Sequence, residues 1–436
     1  MATPETQAAS PKPPASKPAA TQRPGAPGSE RSSKPATGRA PERLVSLDAY
    51  RGFIMLAMAS GGFAVANVFK ANESLRDSET WRFLAYQLDH VAWTGCACWD
   101  LIQPSFMFMV GVSMAYSYAS RQARGQSYPR MLGHAVYRSL VLVALGVFLT
   151  SNWDPRTNFV FTNVLCQIGL GYTFLFLLWN RHPSWQFLAV ALILIGDWAL
   201  FHYYPAPAEG FNDAEAGIDA NWPHLQGAAA HWDKNTNVAA AADRTFLNWF
   251  PRAKRFEYNA GGYTTLNFLP SLATMIFGLL AGGLLRGSLK PAAKLAALVA
   301  AGAACLALGW SLDHYGVCPS VKRIWTPSWA LFSTGWTFLM LAGFYGVIDL
   351  AGFRRAAWPL VVVGMNSIAV YCMSQLIGGA KGWIAQSLER HLGGGLFTCY
   401  GRLDPVYEPI ARMVLVLLVI WLVCCWLYRQ RLFARI

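Results

Sequence analysis

The chain has 436 residues, of which 54% are hydrophobic and only 14% charged, with a formal net charge of +13. Soluble domains carry about 25% charged residues, so a soluble enzyme is excluded: much of this surface does not face water. Nucleic acid is excluded as a partner too, because the basic residues lie between apolar runs and form no domain of their own; they read as topology determinants and lipid-headgroup contacts.

Residues 1–43 are rich in Pro, Ala, Ser and Lys and almost free of large apolar side chains. Such a composition cannot bury a core, and a disordered cytoplasmic tail is expected. It has no continuous apolar stretch of the kind a signal peptide needs. Residues 44–436 then form the membrane domain. From Asp48 onward, apolar runs long enough to cross a bilayer, about 20 residues each, follow one another. They predict spans at 48–69, 99–120, 131–151, 160–180, 184–203, 266–286, 291–312, 328–348, 358–378 and 410–429. The expected fold class is an all-α membrane protein, a polytopic bundle of about ten transmembrane helices with a loop cap on the outer face.

Alternate connections carry the positive charge: Arg121, Arg124 and Arg130, then Arg181, then Arg286, Lys290 and Lys294, then Arg354 and Arg355. Both termini, with Arg39, Arg43, Arg429, Arg431 and Arg435, fall on the same side. The positive-inside rule makes that side cytoplasmic. The connections 70–98, 152–159, 204–265, 313–327 and 379–409 face outward. Within 70–98, Trp81, Phe83, Leu84, Tyr86, Leu88 and Trp93 form an amphipathic pattern suited to the membrane surface. The aromatic content of 204–265 argues for a folded cap, since loops this long are otherwise functional or disordered. The nine cysteines show no metal spacing and read as small packing residues; Cys318 and Cys399 fall on one side, where a disulfide is open to them.

Polar residues inside spans are costly and usually face a cavity. Asp48 and Arg51, three apart, share a helix face at the start of the first span. An interfacial ion pair and a phosphate-binding mouth explain them equally well. His90 sits beside Asp89, before Gly95, with Asp100 opening the next span; either aspartate can fix the ring's tautomer, as a general base requires. Asn163 and Gln167 share a face of the fourth span, and Asn366 and Ser367 lie in the middle of the ninth. Helix–helix hydrogen bonds explain each separately; together they suggest a polar interior.

These residues also carry a resemblance. Arg43-Leu-Val-Ser-Leu-Asp48-Ala-Tyr-Arg51-Gly52, the Asp89–Gly95 loop, Asp100 to Gly111, Asn163 to Gly169, Asn237 to Arg244, Leu269-Pro270-Ser271 and Gly364-Met365-Asn366-Ser367 resemble, in order, the heparan-α-glucosaminide N-acetyltransferase family and its bacterial relatives. The resemblance implies acyl transfer across the membrane, from cytoplasmic acetyl-CoA to an amine, an amino sugar above all, on the outer side, with no metal. It makes His90 catalytic, as base or acetyl carrier. Asp100 would orient the ring and Asn366 would stabilise the oxyanion. Asp48, Arg51, Gln167 and Ser367 are the expected donor contacts. Asn67, Trp93, Asn163, Asn237, Asp243 and Arg244 are the expected acceptor contacts. The family's asparagine near the outer end of the first span is missing from Ala59-Ser60-Gly61-Gly62, so either Asn67 replaces it or the acceptor differs. A bacterial inner membrane and a homodimer complete the expectation. The competing class is a transporter or flippase using the same polar path.

Overall fold

The computed structural model describes residues 44–207 and 211–433. The predicted tail, 1–43, lies outside the described residues, as do Arg39, Arg43 and Arg435. Fifteen α-helices follow in order: α1 Val45–Ala59, α2 Val65–Ala71, α3 Glu79–Gln87, α4 Ile102–Ala123, α5 Tyr128–Ser151, α6 Val164–Leu178, α7 Pro183–His202, α8 Val238–Phe246, α9 Phe268–Arg286, α10 Pro291–His314, α11 Pro327–Phe344, α12 Trp358–Gly364, α13 Ser367–Leu376, α14 Trp383–Leu392 and α15 Glu408–Arg429. Among the described residues the only extended pairing outside helices is an isolated bridge between Thr94 and Val321. The protein is an all-α membrane protein.

Every predicted span coincides with helix, but not every one meets the length and apolarity of a membrane crossing. Among the described residues, seven helices do so, and an eighth if the bent pair α12–α13 is one span. Of the others, α4 is 22 residues long but diluted by Gln103, Ser105, Ser113 and Ser117. Helix α6 is apolar but only 15 residues long. Both are shielded by neighbours, and α4 lies at the centre of the bundle with eleven buried positions, so lipid contact does not dictate its composition.

Lipid tails give helices no hydrophobic reason to associate, so close backbone packing has to hold them together. Two helix pairs show how. A Cβ on Gly52 of α1 would lie 1.8 Å from the Leu360 carbonyl oxygen of α12, and one on Gly364 would lie 1.8 Å from that of Asp48. In the same reciprocal way, a Cβ on Gly111 of α4 would lie 1.9 Å from the Met275 carbonyl oxygen of α9, and one on Gly278 would lie 1.9 Å from that of Phe108. Hydroxyls add cross-links: Tyr50 donates to Ser105 (3.1 Å) and Thr334 to Thr274 (3.2 Å).

Two spans are broken. Between α1 and α2 the chain runs through four left-handed residues, Gly61 to Ala64, with φ from 51° to 61°. This break falls where the family's asparagine was expected. Between α12 and α13 the axis turns by 77° at Met365 and Asn366. Non-helical backbone at membrane depth is tolerated only where protein or a cavity surrounds it.

Segments from the connections expected on the outer face share a core of their own. Trp93, Phe201, Trp232, Ala239, Cys318, Val321 and Ile324 pack together, and Trp93 Nε1 donates to the Trp232 carbonyl at 3.1 Å. Described residues of the 204–265 connection, Trp222 to Ala239, thus form part of a folded cap. All nine cysteines are free, and Cys318 is buried while Cys399 is exposed. That corrects the disulfide left open for this pair: Cys318 belongs to the cap core, where Cys399 does not reach.

Candidate active site

Asp100 is buried to 0% exposure at the entrance to α4. Its two oxygens gather groups from both ends of the cap. His90 Nδ1 lies 2.7 Å from Oδ1 and Lys322 Nζ 3.1 Å from the same oxygen. The amides of Val91 and Ala97 donate to Oδ2 at 3.3 and 3.1 Å. A carboxylate only accepts, so a 2.7 Å contact requires the proton on His90 Nδ1. In the neutral ring, Nε2 is then the nitrogen with the lone pair. Lys322 Nζ is also 3.0 Å from Nδ1; with that nitrogen protonated, the contact reflects two donors crowding one oxygen, not a second bond. Lys322 is 5% exposed, and burial lowers its proton affinity, against the pull of Asp100.

The neighbouring Asp89 does not hold the ring. Its Oδ1 accepts from the His90 amide at 2.8 Å and its Oδ2 pairs with Lys70 at 2.6 Å. Burial works against the Asp89 charge, but Lys70 and the His90 amide more than offset it and hold its carboxyl below the usual range.

Two cavities meet at His90. The inner one, about 510 Å³, is walled by bundle and cap together and includes His90, Gln103, Asn163, Tyr263, Lys322 and Tyr371. Tyr371 of α13 donates to Asn163 Oδ1 at 3.1 Å, so the bent span supplies one wall. The outer groove, about 640 Å³, runs over α2, α3 and the cap and includes Lys70, Arg82, Tyr86, His90, Trp93 and Trp222. His90 is half-exposed between them.

The remaining predicted residues fall into three places. At the basic end of the bundle, Arg51 pairs with Asp48 at 3.3 Å and donates to Ser113. In the cap, Asn237 caps α8 by accepting from the Ala240 amide, Arg244 donates to the Asn235 carbonyl, and Asp243 accepts from the Thr265 amide. Burial pushes the Asp243 carboxyl up to about 6, against that hydrogen bond. Gln167 is at the cap end as well, donating to the carbonyls of Phe161, Thr264 and Thr265; it does not lie with Arg51. Asn366 and Ser367 sit at the bend, Asn366 buried. Neither lines the inner cavity, and the exposed Asn67 lines neither. Sequence reasoning missed Lys322, Tyr263 and Tyr371. Among the described residues no group of three or more His, Cys, Asp or Glu is gathered for a metal.

The groove's far wall has an electrostatic clasp. His224 lies between Asp233 (Nδ1 to Oδ2, 2.6 Å) and Asp213 (Nε2 to Oδ2, 3.0 Å), and Trp222 Nε1 donates to Asp233 at 3.1 Å. The hydrogen bond that the ring gives to Asp233, joined against partial burial by the one to Asp213, raises the histidine's proton affinity.

Fold and site define a polytopic helical membrane protein with a carboxylate-oriented histidine exposed to two cavities. The heparan-alpha-glucosaminide N-acetyltransferase catalytic family matches residues 43–318, and the chain belongs to that family. It is 25% identical over 372 residues to the heparan-alpha-glucosaminide N-acetyltransferase of Mus musculus, covering 76% of this chain and 53% of that protein. To the enzyme of the same name from Homo sapiens it is 24% identical over 384 residues, 78% and 54% respectively. The chain thus spans about half the length of the curated relatives it matches.

Two outcomes follow. Lys322→Met strands a buried carboxylate and should destabilise the protein by about 3–5 kcal/mol. Asp100→Asn should lose less in the Lys322→Met background than in the wild type, with a coupling above about 1 kcal/mol in a double-mutant cycle of unfolding in detergent. Additive losses would mean that the pair does not interact. For the clasp, a histidine with raised proton affinity gives stability that is complete below its unfolded value, about 6.5, and lost as pH climbs through the folded one. Hydrogen exchange across 211–226, corrected for its intrinsic pH dependence, should speed up between pH 6 and pH 9, and His224→Gln should flatten that response. Equal protection at both pH values in the wild type would remove the clasp.

Proposed function

We propose that this protein moves an acetyl group from acetyl-CoA on the cytoplasmic side to an amine, in an amino sugar, on the outer face of a bacterial inner membrane. The observation that carries the reading is His90: its Nδ1 is held by Asp100 and its Nε2 is left for chemistry where two cavities meet. The family match supports the reaction class.

The chemistry needs an amine without its extra proton, a polarised thioester carbonyl and both reactants in line. His90 Nε2 either takes the proton of the attacking amine or accepts the acetyl group itself. Both roles use the same lone pair, which Asp100 secures by holding the proton on Nδ1. As the C–N bond forms, the C–S bond breaks and the CoA thiolate leaves, recovering the proton from the imidazolium. Lys322 keeps Asp100 charged, so the ring cannot turn over to the wrong tautomer. The amides of Gln103 and Gln375 and the Tyr263 hydroxyl share the inner cavity with His90 and are the groups available to a developing oxyanion; one such donor is worth roughly 3–4 kcal/mol. Asn366, assigned that task in the sequence, lies at the bend and contributes by shaping α13.

The donor enters from the basic end. Arg51, with Asp48 beside it, and Arg121 and Arg138 offer guanidinium groups to the CoA phosphates, and the pantetheine arm reaches the inner cavity between the helices. The acceptor occupies the outer groove, where Tyr86, Trp93 and Trp222 present the flat faces on which sugar rings pack. Lys70, Arg82 and Asp89 supply the polar contacts. Asn163 stands on the donor side of His90 in this arrangement, Gln167, Asn237, Asp243 and Arg244 hold the cap over the site, and Ser367 begins the helix that carries Tyr371.

His90→Ala should abolish N-acetylation of glucosamine, at least 1,000-fold on the scale of catalytic histidines (about 10³–10⁶), while calorimetric acetyl-CoA binding stays within about twofold of wild type. Transfer at a rate near wild type would take His90 out of the mechanism. Loss of binding together with transfer would put His90 in the donor site instead.

A further inference from the structure

The largest of the cavities described lies away from the site, in the wall of the bundle. It is a crevice of about 800 Å³ between α7 and α10, floored by α4, α9 and α11. Both flanking helices turn most of their side chains outward: Phe187, Leu192 and Ile195 of α7 and Val299 and Leu308 of α10 are exposed. Only four positions of α10 are buried. The crevice lining is apolar except at one end, where Arg181, Arg286, Asn180 and Gln186 close it.

We propose that this crevice binds one acyl chain of an anionic glycerophospholipid from the leaflet on the basic face, with the lipid phosphate held by Arg181 and Arg286. Three observations carry it. An apolar recess open to hydrocarbon cannot hold water, so a chain from the bilayer is its natural filling. Its depth fits one leaflet: from Arg286 to Phe277, both lining residues on α9, nine helical rises of 1.5 Å give about 14 Å, half of the roughly 30 Å hydrocarbon core. The cations stand at headgroup depth. Both are exposed, and neither is paired with a carboxylate among the described residues. Arg286 uses one Nη1 hydrogen on the Ala115 carbonyl at 2.8 Å, which holds the side chain against α4 and leaves its other donors outward. A zwitterionic lipid would bring its own cation to the same place, so the pair of arginines selects net negative charge. The interaction is independent of acetyl transfer.

The test is native mass spectrometry of the full chain released from nanodiscs containing equal amounts of phosphatidylglycerol and phosphatidylcholine. At about 1 kcal/mol per basic residue near a lipid headgroup, the two arginines together should retain phosphatidylglycerol about 30-fold over phosphatidylcholine. Arg181→Gln, which leaves the Arg286–Ala115 bond intact, should lower that preference about fivefold. Arg181→Gln with Arg286→Gln should abolish it. Ala304→Trp, which fills the crevice, should lose both lipids. Equal retention of the two lipids by wild type, or an unchanged preference in the double variant, would overturn the proposal. So would disulfide cross-linking of Leu308→Cys between copies in the bilayer, because a second chain would then occupy the crevice.

Discussion

One buried carboxylate organises the cap end of this protein. Taking an ionised aspartate out of water costs several kcal/mol unless its lone pairs are met. Asp100 meets that cost with four donors: an imidazole, an ammonium and two backbone amides. Three of them come from the eleven residues ending at Asp100 itself, so the 90–100 loop is wound around its own acid. The fourth, Lys322, comes from the connection before α11 and ties the loop to the far side of the bundle. The same contacts that make the charge tolerable fix the tautomer of His90. Stability at this point and the reactivity proposed for it have a common physical cause.

The bundle places that knot where two spaces adjoin. Glycine-mediated contacts bring α1 onto α12 and α4 onto α9 at backbone distance. The breaks in the first and ninth spans then open room near the cap, since α13 swings away from the axis of α12 and carries Tyr371 to Asn163. The cap closes the space from outside through Trp93, which joins the histidine loop to Trp232. The proposed transfer, between a donor on one side and an acceptor on the other, needs such a meeting point.

Much of this was legible in the sequence. The apolar runs mark helices because a bilayer leaves the backbone no other way to satisfy its hydrogen bonds. The pairing of His90 with Asp100 was readable because the two lie ten residues apart around a glycine turn; which aspartate held the ring was not, since Asp89 is nearer in sequence and turns instead to Lys70. Lys322 was invisible: a lysine in a short outer connection looks solvated, and its burial depends on an aspartate 222 residues away. Gln167 shared a helix face with Asn163, as spacing predicts, but spacing does not say which end of the bundle a face serves. Asn237, Asp243 and Arg244 were expected at the acceptor because their stretch resembles the family; in the fold they cap and bond a short helix, α8, to its surroundings. The broken spans were hidden because hydropathy averages over a bend.

The central claim is acyl transfer across the membrane through His90, and reconstituted vesicles test it most directly. With acetyl-CoA confined to the compartment facing the basic end and glucosamine to the other, N-acetylglucosamine should accumulate on the glucosamine side, as detected by mass spectrometry. Product that forms only when donor and acceptor share a compartment would contradict transfer across the membrane. Glucosamine moved unmodified, with acetyl-CoA intact, would make the protein a transporter.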